Sequence, residues 1–351
     1  MSIIIKRVRK FSPNPKKSIR INRAEFGHDV SKDNKKDFFN FYYPNSAPLV
    51  FNIAKLHKIN TNNIIVGLGA ESLIKDLYIW HAKKFKTRRV GFSLPNFQVY
   101  KLNAKIWSYK IFNYFIDPVK PKLLNIEFIK NFLKKNKINL FVLINPSHPF
   151  EKNWNLKELE KIIQYCKSRK ITILVDEVYQ NLGSKSAYKF INKYNNLIIL
   201  RSFSKSFGLP GLRVGYTMAS KKISQEIETY RLAIELPQHS INVVNNLLNK
   251  SKTEIYKTSK RIIKARNYAH MQFRTRGLKS YSHFLNSVNV DMFNKINALK
   301  VGKYLRKNNI FINYTYAPPH SQFINLTTTN ISNLKIFFKK FDEILIGIKF
   351  L

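Results

Sequence analysis

Short apolar runs alternate with amphipathic stretches along much of this chain. Asn60–Trp80 reads as a turn, a short strand (Ile64-Ile65-Val66), a glycine turn and a helix. Arg89–Ser93 is a strand that stops before Pro95, and Ile106–Phe115 is a further apolar run. Ile126–Lys135 has helical periodicity, and Leu140–Ile144 is continuously apolar up to Asn145-Pro146. Leu156–Ser168 repeats at helical spacing behind Asn155, a residue suited to an N-cap. Ile171–Val175 ends in Asp176, and Leu197–Leu200 ends in Arg201-Ser202.

Apolar strands that alternate with helices predict a parallel sheet covered on both faces. In such sheets ligands bind beyond the carboxyl ends of the strands. Asn145, Ser147, His148, Asp176, Ser202 and Lys205 all fall there. After about residue 250 the texture changes. A basic helical stretch (Ser251–Arg274) leads to strands near Ser287–Phe293 and Gln322–Leu326, with helices around Lys295–Lys307 and Asn330–Leu345. The expected organisation is a large domain over residues 45–250 and a smaller α+β domain built from residues 1–44 and 251–351. The stretch to about residue 44 is irregular and polar. No internal repeat or Gly/Ser linker divides the chain.

Composition narrows the function classes. With 351 residues, 44% hydrophobic and 14% aromatic, the chain can bury a sizeable core, which excludes a disordered or collagen-like protein. A lone cysteine, Cys166, excludes a disulfide scaffold and a thiolate metal cluster, and no metal is expected. No run reaches the roughly 18 apolar residues of a membrane helix, and the start lacks the apolar run of a secretory signal. The expectation is therefore a soluble, cytoplasmic protein. Lys plus Arg number 62 against 20 Asp plus Glu, a formal net charge of +42. These cations are scattered, mostly as pairs such as Lys35-Lys36 and Lys83-Lys84, without a block of five or six. They reflect a Lys-, Asn-, Ile- and Phe-rich composition and point to no specific nucleic-acid or membrane partner, while favouring anionic small molecules.

The richest chemistry lies in Arg201-Ser-Phe-Ser-Lys-Ser-Phe-Gly-Leu-Pro-Gly-Leu-Arg-Val-Gly-Tyr216. Lys205 follows a buried strand, where an amine can form a Schiff base with a carbonyl cofactor. Ser202, Ser204 and Arg213 can hold a phosphate beside it. Asp176, in Asp176-Glu-Val-Tyr179, ends another strand, where a carboxylate can pair with a protonated pyridine nitrogen. Gly67-Leu-Gly-Ala-Glu71 opens a helix, whose first amides suit a phosphate.

In this order, these motifs resemble the fold-type I pyridoxal-phosphate enzymes, in the class I/II aminotransferase branch and its histidinol-phosphate aminotransferase-like group. The resemblance runs from about residue 20 to 345. It implies an α/β fold of the type I PLP-dependent transferases, with a mostly parallel seven-stranded sheet in the large domain and a smaller α+β domain. It implies pyridoxal 5′-phosphate as cofactor, held by Lys205 as an internal aldimine. It implies that Gly69, Ala70 and Glu71 bind the cofactor phosphate with Ser202, Ser204 and Arg213, that Asp176 pairs with the ring nitrogen, and that Tyr179 reaches the phenolic oxygen. Phe97, in Ser93-Leu-Pro-Asn-Phe-Gln-Val-Tyr100, would stack on the ring. Tyr43, in Tyr42-Tyr43-Pro44, would reach the phosphate of a neighbouring subunit in a homodimer with shared sites. Arg20-Ile-Asn-Arg-Ala-Glu25 resembles the leader before that tyrosine, with Ala24 in place of the usual asparagine. The implied partners are a small-molecule amino donor and a carbonyl acceptor.

The chain departs from the family pattern twice. Asn145-Pro-Ser-His-Pro-Phe-Glu151 stands where the family has Asn-Pro-x-Asn-Pro-Thr-Gly, so His148 takes the place of an asparagine that donates to the phenolic oxygen. The C-terminal strand Ser321–Thr329 lacks the arginine that clamps a substrate carboxylate, as does Ile310–Tyr316 before it. Asn313, Tyr314 and Gln322 are then expected to face a hydroxyl-rich substrate. The reading is an aminotransferase; the alternatives are a decarboxylase of a phosphorylated amino acid on the same fold, an inactive binding module and a polyanion-binding protein.

Overall fold

The structure is a computed structural model that describes residues 44–346 and the backbone of residues 19–20; Tyr43 and the leader lie outside them. In chain order the elements begin with β1 (Ile19–Arg20), α1 (Ala47–His57), β2 (Ile64–Leu68), α2 (Gly69–Lys84), β3 (Arg89–Leu94), α3 (Val99–Ile106) and β4 (Lys110–Phe115). Then come α4 (Ile126–Lys135), β5 (Leu140–Ile144), α5 (Leu156–Ser168), β6 (Thr172–Asp176), β7 (Leu197–Ser202) and β8 (Val214–Ala219). Helices α6 (Lys221–Glu228), α7 (Gln238–Leu248), α8 (Lys252–Ile255) and α9 (Lys257–Thr275) lead to the C-terminal part: β9 (Ser280–Tyr281), β10 (Ser287–Asp291), α10 (Lys295–Lys307), β11 (Ile310–Phe311), β12 (Phe323–Thr327) and α11 (Ile331–Leu345).

The main sheet has seven strands in the order β2-β8-β7-β6-β5-β3-β4. Neighbours from β7 to β4 are parallel, and β8 runs antiparallel to both β7 and β2. The mostly parallel α/β sheet expected from the alternation is thus present. Strands β5, β6 and β7 are buried along their whole length, which is why they read as unbroken apolar runs rather than alternating ones. One face packs under α1, α4, α5 and α7, the other under α2, α3 and α6. Asn155 caps α5 in a reciprocal box with Glu158, and Asn125 caps α4. The C-terminal part carries a three-stranded sheet, β12-β10-β9, with its own apolar core between α9, α10 and α11. There Phe273 and Phe338 meet Phe337 and Phe341 edge to face, while Phe337 and Phe341 stack on each other. Among the described residues no helix is long and apolar enough to cross a membrane.

Several elements differ from the pattern-based expectation. The helical stretch after Ser251 breaks at Tyr256 into α8 and α9. Strand β8 hides inside the glycine-rich motif, because Val-Gly-Tyr-Thr-Met-Ala has no simple period and every residue is buried. Its glycine is required there. A Cβ on Gly215 would lie 2.6 Å from the carbonyl carbon of Gly69 and 2.9 Å from the amide nitrogen of Ala70. Backbone cannot give way as a flexible side chain can, so Gly215→Ala should force β8 and the start of α2 apart. We expect a loss of about 1–3 kcal/mol in a urea melt, the range of overpacking.

Candidate active site

Pairing in the main sheet converges the predicted residues. Leu68 of β2 pairs with Val214 of β8, so the next residues outward, Gly69 and Arg213, lie side by side. Gly69 has φ of +69°, and a Cβ there would meet the Arg213 guanidinium at 2.9 Å. Both requirements select glycine. Arg213, itself left-handed with φ of 53°, aims its cation at the amino end of the 16-residue α2. Gly69, Ala70 and Glu71 occupy that first turn, whose amides have no intrahelical acceptors. On the other side of β8, Gly215 pairs with Ser202. The Ser202 hydroxyl lies 2.9 Å from that of Ser204 and accepts the Ser204 amide at 3.1 Å. A guanidinium, two hydroxyls and a helix amino terminus meet here, the donor set a phosphate dianion needs.

Lys205 follows three residues after β7 and is partly buried, with Nζ 6.0 Å from the centre of the Tyr179 ring. Tyr179 is buried and stacks on His148, with centroids 4.6 Å apart and planes inclined by 14°. Burial, and then the charge of Lys205, push the His148 pKa down to about 3. The imidazole is therefore neutral at physiological pH, with one N–H to donate. Burial also pushes the Tyr179 phenol up, reinforced by Asp176 and Tyr316.

Asp176 ends β6 with only 5% of its surface exposed. Its Oδ2 accepts the Tyr100 hydroxyl at 2.6 Å and its Oδ1 accepts the Val178 amide at 2.9 Å. Burial raises its pKa to about 6, held back by those two hydrogen bonds. Neither of these partners is a cation, and two of the carboxylate's roughly four lone-pair sites are filled. A protonated aromatic nitrogen would complete it. Phe97 stands 48% exposed at the entrance to α3, ready to cover a flat ligand. The donor set at Gly69, the carboxylate of Asp176 and the amine of Lys205 together fit pyridoxal phosphate.

Sequence reasoning missed several residues. Tyr100 was visible only as the end of the Phe97 string. Next to Asp176, Glu177 forms a buried pair with Arg201 at 2.9 Å and accepts Ser186 and the Ala187 amide. Beyond Arg201, Tyr216 bonds His57 at 2.8 Å. Glu151, in the departing loop, accepts the amides of His283 and Phe284 at 3.0 and 2.6 Å, while Asn289 donates to the Pro149 carbonyl at 2.6 Å. The C-terminal strand carries Phe323, packed edge to face with Phe150 at 5.4 Å, and Phe150 stacks on His320 at 3.9 Å. Aromatic packing thus fills the region where an arginine was missing. Asn313 pairs with Asn325 through both backbone bonds, and Tyr314 lies over Gly302. Of the side chains expected to face a hydroxyl-rich substrate, Asn313 thus lies against Asn325, which its amide reaches at 3.5 Å, and Tyr314 against α10.

Comparison with known proteins gives the same family as the motifs. The family model "Aminotransferase class I and II" matches residues 28–340. The histidinol-phosphate aminotransferase of Pyrococcus furiosus is 30% identical over 288 residues, covering 80% of this chain and 78% of that protein. That of Ruminiclostridium cellulolyticum is 27% identical over 67% of this chain and 65% of its own length. Among solved structures, the histidinol-phosphate aminotransferase from Sinorhizobium meliloti in complex with pyridoxal-5′-phosphate superposes with a TM-score of 0.83 at 18% identity, over 94% of this chain and 91% of that one.

The state of Asp176 is open to measurement. Its folded pKa lies above the ordinary 3.8, so stability present below about pH 4 is lost as pH rises to about 6. Asp176→Asn does not titrate and keeps an acceptor for Tyr100. Its apoprotein should gain on the wild type by about 2–3 kcal/mol between pH 4 and 7, from roughly 1.4 kcal/mol per pH unit. Denaturant melts at both pH values check this.

Proposed function

The chain belongs to the class I and II aminotransferases, and we propose that it moves an amino group between an amine and a carbonyl compound through Lys205, with pyridoxal 5′-phosphate as cofactor. The observation that carries this reading is the convergence of Lys205, Asp176 and the Gly69–Arg213 cradle at the carboxyl edge of one sheet. The cofactor supplies an electron-poor ring that withdraws electrons from the substrate carbon.

This chain's residues do the rest. The first-turn amides at Gly69, Ala70 and Glu71, the Ser202 and Ser204 hydroxyls and Arg213 bind the phosphate and fix the ring's position. Asp176, ionised above about pH 6, accepts a hydrogen bond from the protonated ring nitrogen and keeps the proton on that nitrogen. The Tyr179 hydroxyl and the single N–H of neutral His148 donate to the phenolic oxygen. Phe97 covers the ring face and excludes water. With the cofactor bound, the Lys205 amine would hold it at its carbonyl carbon, and once displaced by the incoming amine its Nζ would hold and move the proton at the substrate carbon.

The same reading includes a cytoplasmic homodimer. Leu68, beside the phosphate cradle, is 37% exposed, and its amide bonds Glu235 in a loop whose Leu232 and Ile234 are 73% and 44% exposed. A second copy would bury these apolar side chains.

The test uses pyridoxal phosphate, histidinol phosphate as the first amino donor and 2-oxoglutarate as acceptor. Borohydride followed by peptide mass spectrometry should place the cofactor on Lys205, and Lys205→Ala should lose turnover by roughly 10³-fold or more. Release of carbon dioxide without amino transfer would replace this reading by the decarboxylase. A protein that binds no cofactor would remove both.

A further inference from the structure

Tyr100 is fully buried in α3, yet it carries a hydroxyl that must find an acceptor. The acceptor is Asp176 Oδ2 at 2.6 Å, across 76 residues of sequence. The Val178 amide fixes the other oxygen at 2.9 Å. One donor on each oxygen sets the plane of the carboxylate and leaves lone pairs for one further donor. The Tyr100 amide bonds the Phe97 carbonyl at 3.1 Å, so the exposed ring of Phe97 and the buried phenol belong to one turn. We infer that Tyr100 is a positioning residue for the reaction, orienting the Asp176 carboxylate towards the cationic nitrogen of the cofactor ring. This rests on the cofactor assignment proposed above.

The surroundings favour this role over simple satisfaction of a buried hydroxyl. Groups facing the carboxylate are Tyr100 from α3, Tyr179 from the loop after β6, and Glu177, whose charge raises the Asp176 pKa. Glu177 itself is neutralised by Arg201 at 2.9 Å. Tyr78 from α2 faces Tyr100 but has no hydrogen-bond partner of its own. Beside the Val178 amide, Tyr100 is therefore the side chain that donates to Asp176, and its donation favours the ionised carboxylate. Without it, a larger share of Asp176 takes up a proton near neutrality, and a protonated acid no longer offers a pyridinium its negative charge. The orientation of the remaining lone pairs is lost with it.

Tyr100→Phe removes the hydroxyl and keeps the ring, so packing is preserved. It is made alone and combined with Asp176→Asn, beside the wild type and Asp176→Asn as references, with thermal melts to confirm folding. Three readouts are used: the dissociation constant of pyridoxal phosphate from the apoprotein, kcat against KM for the amino donor, and the Asp176 side-chain carbon resonance titrated in 13C-aspartate-labelled apoprotein. The inference predicts about tenfold weaker cofactor binding and about tenfold lower kcat, with KM changed by less than about twofold. It predicts an Asp176 titration shifted up by about one pH unit. In the Asp176→Asn background, adding Tyr100→Phe should change cofactor affinity no further. Unchanged affinity and titration in Tyr100→Phe would overturn it, as would an equal loss with and without Asp176. If the wild type binds no pyridoxal phosphate, the functional reading fails and this inference with it. If the wild type binds and turns over but Tyr100→Phe matches it, only this inference fails.

Discussion

Where β8 passes the start of α2, two backbones come so near that a methyl group on Gly215 would lie 2.6 Å from the carbonyl carbon of Gly69. That approach needs the antiparallel β8 between two strands that run the other way. The reversal carries Arg213 back over the mouth of the sheet, beside the helix amides at Gly69, and places Ser202 on the opposite flank. A strand pairing one residue out of step would point Arg213 away from the cradle. The donors of this cradle thus come from three separate segments that the register alone brings together. Lys205 and Asp176 are placed from neighbouring strands of the same sheet, so their positions follow from this arrangement.

Asp176 and Glu177 are consecutive buried carboxylates with opposite treatment. Glu177 has Arg201, a serine hydroxyl and a backbone amide, and these anchor the site from beneath. Asp176 has a phenol and one amide, with burial working against its charge. An underserved carboxylate beside a well-served one is what a site for a cationic ligand requires: the fold supplies rigidity through one and an unmet electrostatic demand through the other.

Much of this was legible in the sequence because parallel strands buried on both faces write themselves as unbroken apolar runs. Their polar terminators, Asn145, Asp176 and Ser202, mark the edge where ligands bind. The glycine-rich string around Lys205 was legible as chemistry but not as structure, since β8 has no period to betray it. Helix α1 was missed because its first turn carries Pro48 and no acidic residue, which resembles a loop. Tyr100 was illegible for another reason. Its role lies in a bond across 76 residues, and in sequence a buried tyrosine looks like any other aromatic in a chain with 18 of them. The neighbours of the substrate-side candidates were not legible either. Asn313 and Tyr314 are polar residues whose partners, Asn325 and Gly302, belong to other elements that only the tertiary fold brings near.

The loop from Asn145 to Glu151 grows out of the central sheet, but its far end is tied elsewhere. Glu151 grips the amides of His283 and Phe284, and Asn289 grips the carbonyl of Pro149. Mechanically, His148 is suspended between two bodies. Its neighbour Ser147 is braced on the sheet side, where its amide and hydroxyl bond within the same loop. Any displacement of β10 relative to the sheet must either break these bonds or drag His148 across the face of Tyr179. The stacked pair is thus a strain gauge, reporting the position of the C-terminal strands at the ring edge nearest to Lys205.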